Sequence, residues 1–230
     1  MDSPATPVKL VRTTVVAIIG LLVTLTLGYI ARTVPAVTSW DRGVLLAINQ
    51  GHSPALTIIT DVFNIGFRPL NAFGLVILLI GIMALVTRRP THALVTGVAI
   101  GLTYAPVPLI KALFDRPRPV PLPYVVPELP VETTPSFPSG HVAIAAAIVV
   151  VFALILKRHR PLILTLGTVV VLATAFSRMY AGAHYPTDVT ASLIFVITVG
   201  PLVVALLTRL EMWLRSRRPG TAPPSPAPAS

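Results

Sequence analysis

The chain has 230 residues, of which 54% are hydrophobic and 11% charged, and its mean hydropathy is +0.82. These values exclude an ordinary soluble domain and favour a membrane protein. The formal net charge of +10 comes from basic residues at the ends of apolar stretches, as in topology signals, so no nucleic acid partner is expected. Because the chain has no cysteine, disulfides, thiolate metal sites and sulfur nucleophiles are excluded.

Six stretches without acidic or basic residues are long enough to cross, or nearly cross, about 30 Å of hydrocarbon as helices. They predict an all-α polytopic membrane protein with both termini on one side. The segment 43–60 is also uncharged, but polar residues and Pro54 interrupt it, which predicts an interfacial or re-entrant piece. The predicted spans are 13–30, 69–87, 90–110, 138–156, 161–177 and 189–208.

Basic residues are divided unequally between the two sides of this six-span arrangement. The side that carries the termini holds eleven of the 18 Lys and Arg residues, so the termini are expected in the cytoplasm. The predicted organisation is a cytoplasmic segment 1–12, a membrane domain 13–210, and a tail 211–230 that is first basic and then rich in Pro, Ala and Ser, and is expected to be disordered.

The first pattern with chemical content lies where the third span ends. Lys111 precedes the pair Arg118-Pro119 by seven residues. Lysine binds phosphate as a point charge and arginine as a planar fork, so the two cations favour an anion site. Basic side chains that snorkel to the membrane interface are the alternative interpretation.

The second pattern, Ser139-Gly140-His141, opens the fourth span. A helix N-terminus offers unpaired N–H groups to an anion, Gly140 permits close approach, and Ser139 adds a hydroxyl donor. His141 would then lie beside the anion and could transfer a proton. A serine N-cap followed by an incidental histidine is the alternative.

The third pattern joins the fifth and sixth spans and contains Arg178, His184 and Asp188. His184 and Asp188 are four residues apart, so on a helix the carboxylate can hold one imidazole nitrogen and leave the other as a base or nucleophile. Loops between spans three and four and between spans five and six emerge on the same side. The six-span arrangement therefore predicts one site at the outer membrane interface.

These patterns resemble the motifs of the type 2 phosphatidic acid phosphatase superfamily. Those motifs are Lys, six residues, Arg-Pro; Pro-Ser-Gly-His; and Ser-Arg, five residues, His, three residues, Asp. Three such matches in chain order are specific. The eleven matching positions are Lys111, Arg118, Pro119, Pro138, Ser139, Gly140, His141, Ser177, Arg178, His184 and Asp188.

The resemblance implies a phosphatase that uses neither a metal nor a cofactor. His184 would attack phosphorus to form a phosphohistidine, Asp188 would orient it, and His141 would protonate the leaving group and later activate water. Asp115 and Arg116 between the first motif's residues are interpreted as a local charge pair without a catalytic role. The groups implied to hold the phosphate oxygens are Lys111, Arg118, Ser139, Gly140 and Arg178.

A site at the bilayer surface favours a lipid substrate, such as undecaprenyl diphosphate, phosphatidic acid or phosphatidylglycerol phosphate. The proline-rich loop 117–138 overhangs the predicted site and either selects headgroups or is an inert connection. A phosphotransferase with a polyprenyl diphosphate donor and a non-enzymatic transporter are the alternatives. The expected location is a bacterial plasma membrane, with the catalytic face outside and the oligomeric state open.

Overall fold

The computed structural model describes residues 7–119, 122–123 and 133–217, and within them the chain forms helices and no strand. Most of the helices begin with proline at the first or second position, where its missing N–H costs no helical hydrogen bond. The helices are α1 Pro7–Thr33, α2 Pro35–Gln50, α3 Pro54–Gly66, α4 Pro69–Thr87, α5 Pro90–Tyr104, α6 Pro106–Phe114, α7 Gly140–Ile155, a 3-10 turn Lys157–His159, α8 Arg160–Tyr180 and α9 Pro186–Ser216.

Helix α7 forms the centre of the bundle. It packs against α8, α9 and α5, while α1 runs along α9 on the far side and α4 packs on α5. Alanine and valine dominate its buried positions, and these small side chains let neighbouring helices approach closely. The same device recurs where Gly20 of α1 meets Thr198 of α9 and where Gly167 of α8 meets Val149 of α7.

Five helices of the described part are long and apolar enough to cross a membrane: Lys9–Thr33, Pro69–Thr87, Pro90–Phe114, Lys157–Tyr180 and Pro186–Leu214. The third of them contains both α5 and α6, which meet at Ala105 and Pro106. The predicted span 138–156 is the 16-residue helix α7, about 24 Å long and shorter than the other five. Exposed leucine, valine and isoleucine cover the outside of the bundle, as expected of a surface in contact with lipid.

The segment 43–60 contains a helix break where the sequence predicts one. Helix α2 ends at Gln50, and Ser53 caps α3 by accepting a hydrogen bond from the Leu56 N–H at 3.3 Å. Half of the proline-rich loop 117–138 and the tail from residue 218 lie outside the described residues, so the predictions made for those parts have no structural account.

Candidate active site

The end of α6 brings the first motif into the bundle. Lys111 lies in the last turn, and Asp115 ends the helix in the left-handed region at φ 41°, which reverses the chain. The Lys111 ammonium donates to the carbonyl of Pro135, on the far side of the loop. The helix end and the segment that precedes α7 are thereby held together.

Arg118 spans two loops. Its Nε and Nη2 donate to the carbonyl and hydroxyl of Thr134, at 2.8 and 3.0 Å, and its Nη1 donates to the Ala183 carbonyl at 2.8 Å. Nη1 also lies 3.3 Å from Nε2 of His184. The guanidinium is therefore fixed beside the imidazole.

The second motif forms the N-terminus of α7. The Ser139 N–H donates to the Asp188 carbonyl at 3.2 Å, and the Ser192 hydroxyl donates to the Ser139 carbonyl at 2.9 Å, so this helix start is tied to α9. Ser139 Oγ is buried and has no hydrogen-bond partner among the described residues. A Cβ at Gly140 would lie 3.2 Å from the Tyr104 hydroxyl, which favours glycine there.

The turn between α8 and α9 sets the position of the third motif. Gly182 adopts φ 63°, and the N–H groups of Ala183 and His184 donate to the Arg178 carbonyl at 3.0 and 3.2 Å. Asp188 lies in the first turn of α9 and is fully buried.

The geometry assigns different roles to the two nitrogens of His184. Nδ1 lies 3.5 Å from Oδ2 of Asp188, and Nε2 lies 3.3 Å from Nη1 of Arg118. A guanidinium has only donors, so Nε2 faces it as an acceptor and the neutral ring carries its proton on Nδ1, towards the carboxylate. The Nε2 lone pair is therefore directed at Arg118, which also lines the cavity.

Most of the predicted site residues line one cavity of about 840 Å³. Six of the eight predicted site residues line it, whereas Ser139 and Asp188 are buried behind its wall. Away from this cationic end, side chains of α4, α5 and α7 form an apolar wall. The six predicted residues on the cavity are Lys111, Arg118, Gly140, His141, Arg178 and His184.

Asn64 and Arg68 also line the cavity, although neither belongs to a motif. Asn64 of α3 accepts hydrogen bonds at Oδ1 from Arg178 Nη1 at 3.1 Å and from Ser177 Oγ at 3.2 Å, and so orients a predicted phosphate ligand. Arg68 lies beside the start of α4. No local sequence pattern marks Asn64, because its role depends on a contact with a residue 114 positions away.

The interpretation of Asp115 and Arg116 as a local pair was wrong. The left-handed turn at Asp115 directs the Arg116 side chain inward, where it is 2% exposed and pairs with Asp188 at 2.6 Å and Asp41 at 2.7 Å. It also lies 4.1 Å from the ring centroid of Tyr185. Burial raises the pKa of Tyr185 above its usual value, although Arg116 opposes the shift, so this phenol is neutral at physiological pH.

Metal-binding groups are not assembled around this cavity. Across residues 7–119, 122–123 and 133–217, no cluster of three His, Asp or Glu side chains has the arrangement needed to hold a metal ion. The two acidic side chains closest in the chain to His184 and Arg118 are Asp188, which is bound to Arg116, and Asp115, which ends α6.

Helices long and apolar enough to cross a membrane thus surround a cationic cavity that contains His184, with Asp188 buried beside it. The chain belongs to the PAP2 superfamily, whose family model matches residues 92–211, and it is accordingly a phosphatase. The first of these residues lies in α5 and the last in α9, so the match includes all three motifs.

Two curated relatives are similar to this chain at about one third identity. The decaprenylphosphoryl-5-phosphoribose phosphatase of Mycobacterium tuberculosis is 34% identical over 142 residues, which cover 59% of this chain and 76% of that protein. The undecaprenyl-diphosphatase BcrC of Bacillus subtilis is 33% identical over 135 residues, or 56% of this chain and 64% of that protein.

A solved structure supports the fold. The transmembrane PAP2-type phosphatidylglycerolphosphate phosphatase of Bacillus subtilis superposes with a TM-score of 0.69 over 88% of this chain and 98% of that protein. Because the two sequences are 22% identical, this likeness defines the architecture of the bundle.

Proposed function

We propose that this protein is a membrane lipid phosphatase that hydrolyses the phosphate ester or diphosphate end of a lipid through a phosphohistidine at His184. The observation that carries the proposal is the shape of the cavity, which joins a cationic end to an apolar wall. Phosphate would bind at the first and a hydrocarbon chain at the second. A soluble phosphate ester would leave the apolar part of the cavity unused.

The apolar part lies between helices rather than at the end of the bundle. Phe73 and Val76 of α4 face Ile100 and Gly101 of α5, and Ile144 of α7 closes the wall. At Gly101 a Cβ would meet nothing within 4 Å, so the backbone itself borders open space. A lipid chain could therefore stay among the helices while its headgroup reaches His184.

This shape and the relatives together support the proposed substrate class. Two of them act on polyprenyl-linked phosphates and the solved one on phosphatidylglycerolphosphate, by their names. We propose undecaprenyl diphosphate, phosphatidic acid or phosphatidylglycerol phosphate as the substrate.

The first chemical step transfers the phosphoryl group to the enzyme. The Nε2 lone pair of His184 forms a bond to phosphorus, and the bond from phosphorus to the leaving oxygen breaks. That oxygen takes the proton of His141 together with the bonding electron pair. Lys111, Arg118 and Arg178 hold the non-bridging oxygens, whose charge changes in the transition state.

The second step returns the enzyme to its starting state. His141, now neutral, accepts a proton from water as the water oxygen bonds to phosphorus. The N–P bond breaks, its electron pair returns to Nε2, and phosphate leaves. Asp188 stabilises the positive ring in the intermediate through the Nδ1 proton.

The six-span topology extends this proposal to the location of the site. Helix α7 would complete the six crossings, since α5, α8 and α9 pack around it and short lengths of non-helical backbone are tolerated where protein covers them. Both termini would then be cytoplasmic and the cavity would open at the outer face of a bacterial plasma membrane.

Filling the apolar part of the cavity tests the lipid assignment. We expect Gly101→Phe to lower kcat/KM for a long-chain polyprenyl diphosphate by about tenfold or more, because the new ring occupies the space of the lipid chain and tenfold corresponds to only about 1.4 kcal/mol. The fall should be much smaller for a water-soluble aryl phosphate. Phosphate release in detergent measures both.

Gly81→Phe is the matched control, because Gly81 is also in a membrane helix and a Cβ there meets nothing within 4 Å, but it does not line the cavity. Equal losses on the lipid and the soluble substrate would contradict a lipid-binding wall. So would equal behaviour of the two phenylalanine variants.

Chelation tests the absence of metal chemistry, which stays a prediction. We expect phosphate release from the same lipids to be unchanged after treatment with EDTA and after later addition of Mg²⁺, because Lys111, Arg118 and Arg178 supply the positive charge that a metal would otherwise supply. Loss of activity with EDTA and its recovery with Mg²⁺ would overturn the proposed chemistry.

A further inference from the structure

We propose that Asp41 and Arg116 are positioning residues, which set the orientation and charge of Asp188 and through it the nucleophile His184. This inference rests on the proposed function and concerns how its nucleophile is prepared. Asp41 lies in α2, outside the residues 92–211 matched by the family model, and no motif marks it.

The contacts form a closed network behind the cavity wall. Arg116 Nη2 donates to Asp41 Oδ2 at 2.7 Å, and Arg116 Nη1 donates to Asp188 Oδ1 at 2.6 Å. Thr187 completes the network, since its N–H and hydroxyl donate to Asp41 at 3.1 and 2.6 Å and its hydroxyl accepts from Arg116 at 2.7 Å. Asp41 and Asp188 are fully buried.

This arginine has no place among the phosphate ligands. Arg116 does not line the 840 Å³ cavity, although Lys111 and Arg118 of the same motif do. Its two terminal nitrogens, Nη1 and Nη2, form ion pairs with two carboxylates, and the flat face of its guanidinium lies against the Tyr185 ring. It therefore acts on Asp188 and not on the substrate.

The two carboxylate oxygens of Asp188 have different partners in this network. Oδ1 accepts from Arg116, whereas Oδ2 accepts from the Tyr185 N–H at 2.9 Å and lies 3.5 Å from His184 Nδ1. With Oδ1 held, the carboxylate cannot rotate away from the imidazole. Buried ion pairs contribute little to stability on average, and a role in fixing one geometry accounts better for their presence.

Asp41 also sets the charge behind the nucleophile. An ionised Asp188 paired with Arg116 alone would be neutral, whereas a second ionised carboxylate, that of Asp41, would give the group of three one net negative charge. His184 becomes positive when Nε2 bonds to phosphorus, so the remaining negative charge stabilises the transition state more than the bound substrate. Removing it should slow phosphoryl transfer and leave the phosphate ligands unchanged.

The test compares Asp41→Asn with Asp61→Asn, which makes the same chemical change on the neighbouring helix α3, outside the network. We expect Asp41→Asn to lower kcat about tenfold with KM within about twofold of wild type. Orthovanadate, which resembles the pentacoordinate transition state, should inhibit this variant about tenfold less well, whereas inhibition by inorganic phosphate should change less than about twofold. Asp61→Asn should match wild type in all four values.

Equal changes in orthovanadate and phosphate inhibition, or agreement between the two asparagine variants, would overturn the proposal. If Asp41→Asn does not fold, Thr187→Val is the second variant, because it removes one hydroxyl of the network at constant charge. It should also weaken orthovanadate inhibition. A folded Thr187→Val with unchanged orthovanadate inhibition overturns the proposal. His184→Ala in the same assays tests the proposed function separately. If that variant releases phosphate as fast as the wild-type protein, the phosphohistidine is refuted and the network is not.

Discussion

Replacing His184 with alanine is expected to lower kcat for lipid phosphate hydrolysis by about 10⁴-fold or more, because removal of a covalent nucleophile leaves only the binding contribution of the site. Substrate binding should persist, since Lys111, Arg118 and Arg178 are unchanged. Phosphate release measures the loss, and binding of inorganic phosphate to the variant verifies that the cationic end is intact.

The matched control is His159→Ala, which removes an exposed histidine from the 3-10 turn between α7 and α8. Its activity should equal that of wild type. Brief reaction with a substrate labelled at phosphorus, followed by alkaline quench, should leave label on the wild-type protein and none on His184→Ala, because phosphohistidine survives base. Label retained by the His184 variant would assign the nucleophile to another residue.

The membrane fold was predictable because apolar length is a local property of the sequence. Uncharged stretches predicted α4, α8 and the joined α5 and α6, and each forms a helix. Among the predicted spans, only α7 is shorter than the length expected of a membrane-crossing helix. Many of its residues are small, apolar and buried against other helices, so its sequence is as hydrophobic as that of a lipid-facing helix although the helix is shorter.

The residues that line the site were predictable because the family's motifs fix their spacing and because two loops had to emerge on one side. Lys111, Arg118 and His184 share one cavity. Their chemical roles stay predictions. Two sets of supporting contacts were not predictable, since Arg116 pairs with Asp41 over 75 residues and Asn64 bonds Arg178 over 114.

The error at Arg116 has a simple physical origin. Adjacent opposite charges in a sequence suggest a local pair, but the left-handed conformation of Asp115 turns consecutive side chains in different directions. A buried guanidinium then requires buried acceptors, and Asp41 and Asp188 supply them. Sequence spacing contains no information about which distant carboxylates these are.

Replacing His141 with alanine is expected to lower kcat by about 10²- to 10³-fold on alkyl phosphates, because the alkoxide then departs without a proton. With 4-nitrophenyl phosphate the rate of the first step should be nearly the same in the variant as in wild type, because its leaving group is stable as an anion. Water activation is still lost with that substrate, so the second step becomes slow. The variant should therefore release one equivalent of nitrophenol rapidly and then stall.

This burst separates the two roles of His141 within one experiment. Phosphohistidine should accumulate in His141→Ala during the stall, and its amount should equal the burst. The wild-type rate on alkyl substrates should be bell-shaped in pH, since attack needs neutral His184 and departure needs protonated His141, and the alkaline limb should disappear in the variant. Equal losses on alkyl and aryl substrates without a burst would show that His141 only shapes the cavity, where it is 6% exposed.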